Sequence, residues 1–280
     1  MKDYLNPKIK DLRNFAEQNA KKYQEAQPFP NIVLEEFFST EFLDLICDEF
    51  PDLAKKDSER FENAKQLKFA GIGEKFFGPE TKSLMYFLNS EPFLRFLQIL
   101  TGIKEPLIGD PYFIGGGQHE IKKGGLLKIH ADFNKHRKLR LDRRINVLIY
   151  LNKNWKEEYG GHFELWDRSV TNCVKRISPQ FNTMAIFSTT DFSYHGHPDP
   201  LQCPEDRSRK SLALYYYSNG RPQHEVIAGQ EDHSTIFKGR RGNEQDSQVF
   251  KNVKAKTLIK DIMPPVLYRQ IKKIGRLKGK

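Results

Sequence analysis

The sequence predicts an α+β chain with a mostly β core. The core is expected to be a double-stranded β-helix, or jelly roll, buttressed by N-terminal helices and followed by a basic C-terminal helix. Three observations predict this class. Helix-type apolar spacing dominates the first part of the chain, short strand-type segments follow, and the end is rich in lysine and arginine. We therefore divide the chain into a helical support region packed on the core (1–106), a jelly-roll core (107–222) and a C-terminal extension (223–280).

The support region is predicted to hold four helices and one strand. A thin apolar stripe over about 7–26 predicts the first helix, and the apolar run after Pro30 predicts a strand. Ser39 or Thr40 is the N-cap expected for the second helix, which Pro51 ends. The segment ETKSLMYFLNSEPFLRFLQILTGI predicts two more helices, the second beginning near Pro92.

The core is predicted to consist of short strands. Glycine, proline, asparagine and aspartate separate apolar segments at short intervals, which is typical of an antiparallel sandwich or barrel and not of βαβ units. The segments are YFIGGGQHEI, LLKIHADF, RINVLIYLN, GGHFELW, CVKRI, NTMAIFST and KSLALYYYS.

The positive charge is concentrated at the C-terminal end. The chain has a net charge of +10, and residues 251–280 hold ten lysines and arginines against Asp261, which is +9 and leaves +1 for the rest. We therefore expect no nucleic-acid partner for the core. The tail carries an apolar stripe at Leu267, Ile271, Ile274 and Leu277. Two roles stay open for it: packing on the body, or docking to an anionic partner or a membrane surface.

The cysteines and the chain start favour a cytoplasmic location. Cys47, Cys173 and Cys203 are an odd number without CxxC spacing, so we expect packing residues in a reducing compartment. The first residues lack the apolar stretch of a secretory signal, and no apolar run approaches the length of a membrane span.

A histidine and an aspartate two positions apart are the first chemical signal. On a strand, His130 and Asp132 would project from the same face. A later apolar strand is expected to run directly into His195, and either His195 or His197 could supply a second imidazole. Two histidines and one carboxylate on one octahedral face form the site of non-heme iron(II) oxygenases, which leave the other positions open.

A second signal lies on the last predicted core strand. Arg209 and Ser211 share a face at the start of an apolar run. A guanidinium buried there is costly without an anion, and a carboxylate ligand would supply one through paired hydrogen bonds. Arg207 offers an equally basic side chain nearby, so an ordinary salt bridge for either arginine stays open.

The motifs together resemble the Fe(II)/2-oxoglutarate dioxygenase superfamily, in its prolyl 4-hydroxylase-like branch. The resemblance covers roughly Tyr112 to Ser218. It is carried by HADF, YHGHPDPL and RKSLALYYY, with VLIYLNKNW and YGGHFELWD between the first and second of these.

The resemblance implies a site and a reaction. Iron(II) would be held by His130, Asp132 and His195, with His197 as the alternative distal ligand or a residue near the substrate. The far end of 2-oxoglutarate would be held by a second set, namely Arg209, Ser211 and Tyr150. The expected activity is hydroxylation of an unactivated C–H bond with Fe(II), 2-oxoglutarate as co-substrate and ascorbate as an optional addition. Three substrate classes stay open: a protein proline, a small molecule such as a free amino acid, and a sugar-linked compound. A non-catalytic jelly-roll module that binds metal or sugar is the alternative, and an iron enzyme without 2-oxoglutarate is a third.

Other polar residues near the motifs carry weaker expectations. Gly115 to Gly117 are not followed by the helix and Lys-Ser/Thr pair of a phosphate loop, so we expect a strand bulge or a rim of the site. Gln118, His119 and Glu120 are undecided candidates for substrate contacts. Trp166 is expected in the core or as a wall of the pocket. The remaining histidines with no partner pattern are expected to be structural or exposed: His136, His162, His224 and His233.

Overall fold

The computed structural model describes residues 4–262, and within the last helix it describes side chains up to residue 253. The helices are α1 (Leu12–Gln24), α2 (Thr40–Glu49), α3 (Pro79–Leu88), α4 (Glu91–Thr101) and α5 (Glu244–Ile262). The strands are β1 (Asn31–Glu35), β2 (Glu59–Asn63), β3 (Gln66–Gly71), β4 (Gly117–Lys122), β5 (Leu127–Ala131), β6 (Asp142–Tyr150), β7 (Phe163–Trp166), β8 (Cys173–Ile177), β9 (Thr183–Ser188), β10 (His195–His197), β11 (Ser208–Ser218) and β12 (Ile236–Phe237).

The four predicted N-terminal helices are confirmed, and their ends follow local chemistry. The side chain of Ser39 accepts a hydrogen bond from the backbone N–H of Phe42 and caps α2. Pro92 occupies the first turn of α4, where its missing N–H costs nothing. Gly102 ends that helix in the left-handed region, with φ of +68°.

The strands form one antiparallel sheet that curls into a nearly closed, jelly-roll-like barrel. The strand order is β1-β9-β6-β11-β4-β3-β5-β10-β7-β8, with β2 attached to β3 and β12 attached to β5. Strand β3 pairs with both β4 and β5 and so joins the two halves of the barrel. The predicted mostly β fold with buttressing helices is therefore confirmed.

Alternation along the central strands separates the main core from the cavity. In β6 and β11, Ile149 and Leu212 pack into the apolar cluster formed with the helices. The alternate positions turn inward, where Asn146 and Ser211 line a cavity in the barrel. Phe96, which is fully buried in that cluster, contributes about 1.5–3 kcal/mol of burial free energy.

Three local features differ from the prediction. The segment after Pro51, for which no element was predicted, forms the hairpin of β2 and β3; its polar, mostly exposed first strand carries no apolar pattern. Strand β5 ends at Ala131, so Asp132 lies just beyond it. The apolar strand before His195 does not run directly into it, because a turn over 189–194 separates β9 from β10. These three features depend on strand pairing with distant segments, which the local sequence does not show.

The first part of the C-terminal extension closes onto the barrel. Strand β12 pairs with β5, placing Phe237 opposite His130. A buried ion pair joins Lys128 of β5 to Asp246 of α5, with 2.7 Å between Nζ and Oδ1. The boundaries proposed at 106/107 and 222/223 stay predictions, and the predicted amphipathic tail helix lies outside the described residues. No helix within 4–262 has the length and apolar character required to cross a membrane.

Candidate metal centre and adjoining cavities

His130, Asp132 and His195 meet at one point inside the barrel. Their ligand atoms all lie within 4.8 Å of one another. Nε2 of His130 is 3.5 Å from Asp132 Oδ1, and Nε2 of His195 is 3.4 Å from Asp132 Oδ2. Pairing of β5 with β10 sets the two histidines opposite each other. Cross-strand register therefore brings together residues that are far apart in sequence.

Hydrogen bonds orient both imidazoles for metal binding. Nδ1 of His130 donates to the carbonyl of Lys128 over 2.9 Å, and Nδ1 of His195 donates to the carbonyl of Ser193 over 2.8 Å. Because a carbonyl can only accept, the proton is on Nδ1 and the Nε2 lone pair faces Asp132. Two such nitrogens and a carboxylate are the donor set that suits iron(II), so these residues fit that ion.

Two residues that the sequence analysis did not single out hold the aspartate in place. Arg143 Nη2 and Asn146 Nδ2 both donate to Asp132 Oδ2, over 3.0 and 2.7 Å. The guanidinium of Arg143 also stacks on Tyr215, with Cζ 3.5 Å from the ring centroid. Arg143 lies eleven residues after Asp132 in a strongly basic segment, and nothing in the local pattern separates it from Arg137 and Arg140, which are exposed.

The charges around the aspartate decide its ionisation. Burial by itself would raise the pKa of Asp132, but the opposing effects, of which the charge of Arg143 is the largest, hold that pKa well below its usual range. Burial, reinforced by the nearby His130, lowers the pKa of His195 to about 3. The site therefore presents a carboxylate anion and a neutral imidazole at neutral pH, as metal coordination requires.

Two of the three predicted anion-binding residues, Arg209 and Ser211, line the same cavity; Tyr150 does not line it but contacts Arg209. This cavity, of about 70 Å³, is lined by the three residues that meet there and also by Arg209 and Ser211. Arg209 Nε donates to the carbonyl of Gly161 over 2.8 Å, and Nη2 donates to the hydroxyl of Tyr150 over 3.2 Å. The buried guanidinium is thus held in a fixed position, and it has no carboxylate partner among the described residues.

A second cavity of about 270 Å³ adjoins the first and shares His130, Asp132 and Arg143 with it. Its walls come from the hairpin of β2 and β3 and from β12 in the C-terminal extension. Lys68 of β3 lines both cavities. Burial lowers the pKa of Lys68 to about 8, against the opposing effect of Asp132. Lys68 carries no signal in the sequence, because the hairpin that brings it to the cavities has no apolar pattern in its first strand.

The undecided candidates separate by strand face. His119 lines the first cavity, and its Nε2 donates to the carbonyl of Gly115 over 3.1 Å. Glu120 instead accepts hydrogen bonds from the backbone of Leu53 and from Ser208. Gln118 is buried and lines neither cavity.

Trp166 packs in a cluster with Ile129, Ala131 and Val170, so it belongs to the core and lines neither cavity. Arg207 does not line the cavities either; its guanidinium donates to the carbonyl of Lys153.

The remaining histidines lie outside both cavities. Nε2 of His136 is 3.2 Å from a carboxylate oxygen of Asp110, and Nε2 of His162 is 2.8 Å from one of Glu157. His233 pairs with a carboxylate in the same way, and His224 is exposed. Their expected structural or exposed placement is confirmed.

Residues 117–217 match the family model described as the 2OG-Fe(II) oxygenase superfamily. This chain carries a 2OG-Fe(II) oxygenase domain. The domain is that of an enzyme family that uses iron(II) and 2-oxoglutarate. The resemblance to the superfamily is thereby confirmed. Ascorbate and the cytoplasmic location stay predictions.

Solved structures show the same fold. A prolyl 4-hydroxylase from Pseudomonas putida is similar to this chain with a TM-score of 0.54 at 12% identity, covering 73% of this chain and 100% of its own. A prolyl hydroxylase from Trichoplax adhaerens, in complex with a peptide fragment of the hypoxia inducible factor oxygen degradation domain, has a TM-score of 0.54 at 18% identity, covering 74% and 90%. No curated protein matches the chain.

Proposed function

We propose that this oxygenase domain is a hydroxylase in which His130, Asp132 and His195 hold iron(II). One observation carries the proposal. Two Nε2 lone pairs and one carboxylate converge in a cavity that also contains Arg209, a buried cation without a carboxylate partner in the described part of the chain. A metal ion would bind to the two nitrogens and the carboxylate, and a dicarboxylate would pair with the arginine.

Arg209, Ser211 and Tyr150 form the proposed anchor for the distal carboxylate of 2-oxoglutarate. Arg209 presents the charge, and its two bonds to the protein leave further N–H groups for the ligand. The serine hydroxyl lines the same cavity and adds a hydrogen-bond donor. Fixing the guanidinium in advance lowers the conformational entropy lost on binding.

Iron(II) and 2-oxoglutarate, when bound, supply the oxidation of a substrate C–H bond to C–OH, coupled to conversion of 2-oxoglutarate and O₂ into succinate and CO₂. The residues of the chain supply positioning. Arg143 and Asn146 keep the carboxylate of Asp132 charged and oriented.

The substrate is proposed to enter the second cavity. That cavity reaches His130 and Asp132 from the side of the β2–β3 hairpin and β12. Because the Trichoplax relative of the same fold is in complex with a peptide, we propose peptide-borne proline as the first substrate class to test. Free amino acids and sugar-linked compounds form the comparison set.

The test is succinate formation from 2-oxoglutarate. We expect it to require Fe(II) and to be lost in Asp132→Ala, while Asp206→Ala, which removes an exposed carboxylate, retains it. Calorimetry with Mn(II) in place of iron should show 2-oxoglutarate binding that depends on the metal. Metal-independent binding, or full activity of Asp132→Ala, would remove the assignment and favour the alternative of a non-catalytic module.

A further inference from the structure

His197 is a buried histidine that the site described above does not use. It lies in β10 two residues after His195, and only 3% of its surface is exposed. Neither ring nitrogen makes a hydrogen bond of good geometry with a described residue, and the one polar group of the main chain that approaches the imidazole belongs to Asp199. Buried polar atoms are rarely left without a partner, so an imidazole with two unpaired nitrogens indicates that a ligand group belongs beside it.

The position of His197 indicates which ligand this is. It lines the 70 Å³ cavity together with Arg209, Ser211 and the proposed iron ligands. Its cationic neighbours are Arg209 and Lys68, and the ammonium of Lys68 has no ion pair with a described residue. A small cavity bordered by an unpaired imidazole and by two cations that lack a carboxylate partner favours an anion that also accepts hydrogen bonds.

Two other roles for His197 fit the structure less well. It is not part of the metal-binding cluster found among the described residues, which is complete with His130, Asp132 and His195. A purely structural histidine would satisfy a ring nitrogen within the protein, as His136 does with Asp110.

We propose that His197 is a binding residue for 2-oxoglutarate, donating an N–H to the distal carboxylate beside Arg209 and Ser211. This inference rests on the proposed function. The imidazole would give the carboxylate a third type of donor, in addition to guanidinium and hydroxyl, and the carboxylate would give the ring N–H its partner.

The experiment measures 2-oxoglutarate affinity by calorimetry in Mn(II)-loaded protein. We expect His197→Leu to weaken binding about 10- to 100-fold, since it removes one hydrogen bond to a charged group. His197→Gln keeps an N–H donor and should recover part of the affinity. His224→Gln, a substitution of an exposed histidine, should bind as the wild type does. Mn(II) affinity without 2-oxoglutarate should be the same in all four proteins.

The outcomes separate this inference from the proposed function. If the wild type does not bind 2-oxoglutarate, the proposed function itself fails. If the wild type binds and His197→Leu binds equally well, the inference is overturned; the same holds if His197→Leu loses Mn(II) affinity, because His197 is then a metal ligand. A measurement on the wild type tests the inference even if the His197 variants do not fold. In Zn(II)-loaded wild type, ¹⁵N resonances of His197 should shift on addition of 2-oxoglutarate, and an unchanged resonance contradicts the proposal.

Discussion

The ion pair between Lys128 and Asp246 links the C-terminal extension to the strand that carries His130. The side chains are 7% and 0% exposed, and Asp246 also accepts a hydrogen bond from Arg240 Nε over 2.9 Å. The backbone carbonyl of Lys128 accepts the Nδ1–H of His130. Replacing Asp246 with alanine therefore tests both the stability of the fold and the support of the metal centre.

The expected cost of Asp246→Ala follows from burial. The substitution leaves the ammonium of Lys128 without its carboxylate in a buried position, which costs about 3–5 kcal/mol of unfolding free energy. For a chain of 280 residues that lowers the midpoint of thermal unfolding by about 5–9 °C. Lys128→Met should cost less, because Arg240 still pairs with the remaining carboxylate.

Urea unfolding followed by circular dichroism measures the effect, and an exposed ion pair provides the control. Lys153 and Asp44 have the same N···O distance of 2.7 Å, but their side chains are 50% and 39% exposed. Asp44→Ala should therefore cost about 0–1 kcal/mol. If Asp246→Ala costs no more than this control, burial does not set the strength of the pair and the reasoning is refuted.

Three further predictions concern the anion anchor and the extension. Arg209→Met should raise the Kd for 2-oxoglutarate at least about 100-fold in Mn(II)-loaded protein, because it removes charge-assisted hydrogen bonds. Arg207→Met should leave the Kd unchanged. Equal losses of affinity in the two variants would show that Arg209 is not the anchor. Gly161→Ala should also weaken 2-oxoglutarate binding, with Mn(II) affinity retained, since this residue has φ of +72° and an added Cβ would lie 3.0 Å from Arg209 Cδ; unchanged affinity would show that Gly161 does not position the arginine. His233→Gln should destabilise the protein most at low pH. Burial would lower the pKa of His233, but Asp191 outweighs it and raises that pKa above 6.5, so the pair stabilises fully below pH 6.5 and is lost as pH rises through the raised pKa. Urea unfolding at pH 5.5 and 9 checks this, and a difference between wild type and variant that does not change with pH would contradict it.

The amino-acid pattern alone carried much of the fold and the central chemistry. Apolar spacing and caps such as Ser39 predict the helices, and short apolar runs between turn residues predict the core strands. These signals are visible in the sequence because they are local. The pair His130 and Asp132 and the pair Arg209 and Ser211 were also visible, since each lies within one short segment.

Which distant segments contact each other was decided only by the tertiary structure. Strand pairing, which depends on contacts and not on neighbouring letters, set His195 opposite His130 and placed the unpredicted β2–β3 hairpin over the site. It also brought Arg143 onto Asp132 and left the nitrogens of His197 facing a cavity. A polar side chain acquires its role from the burial and charges around it, and these exist only once the chain is folded.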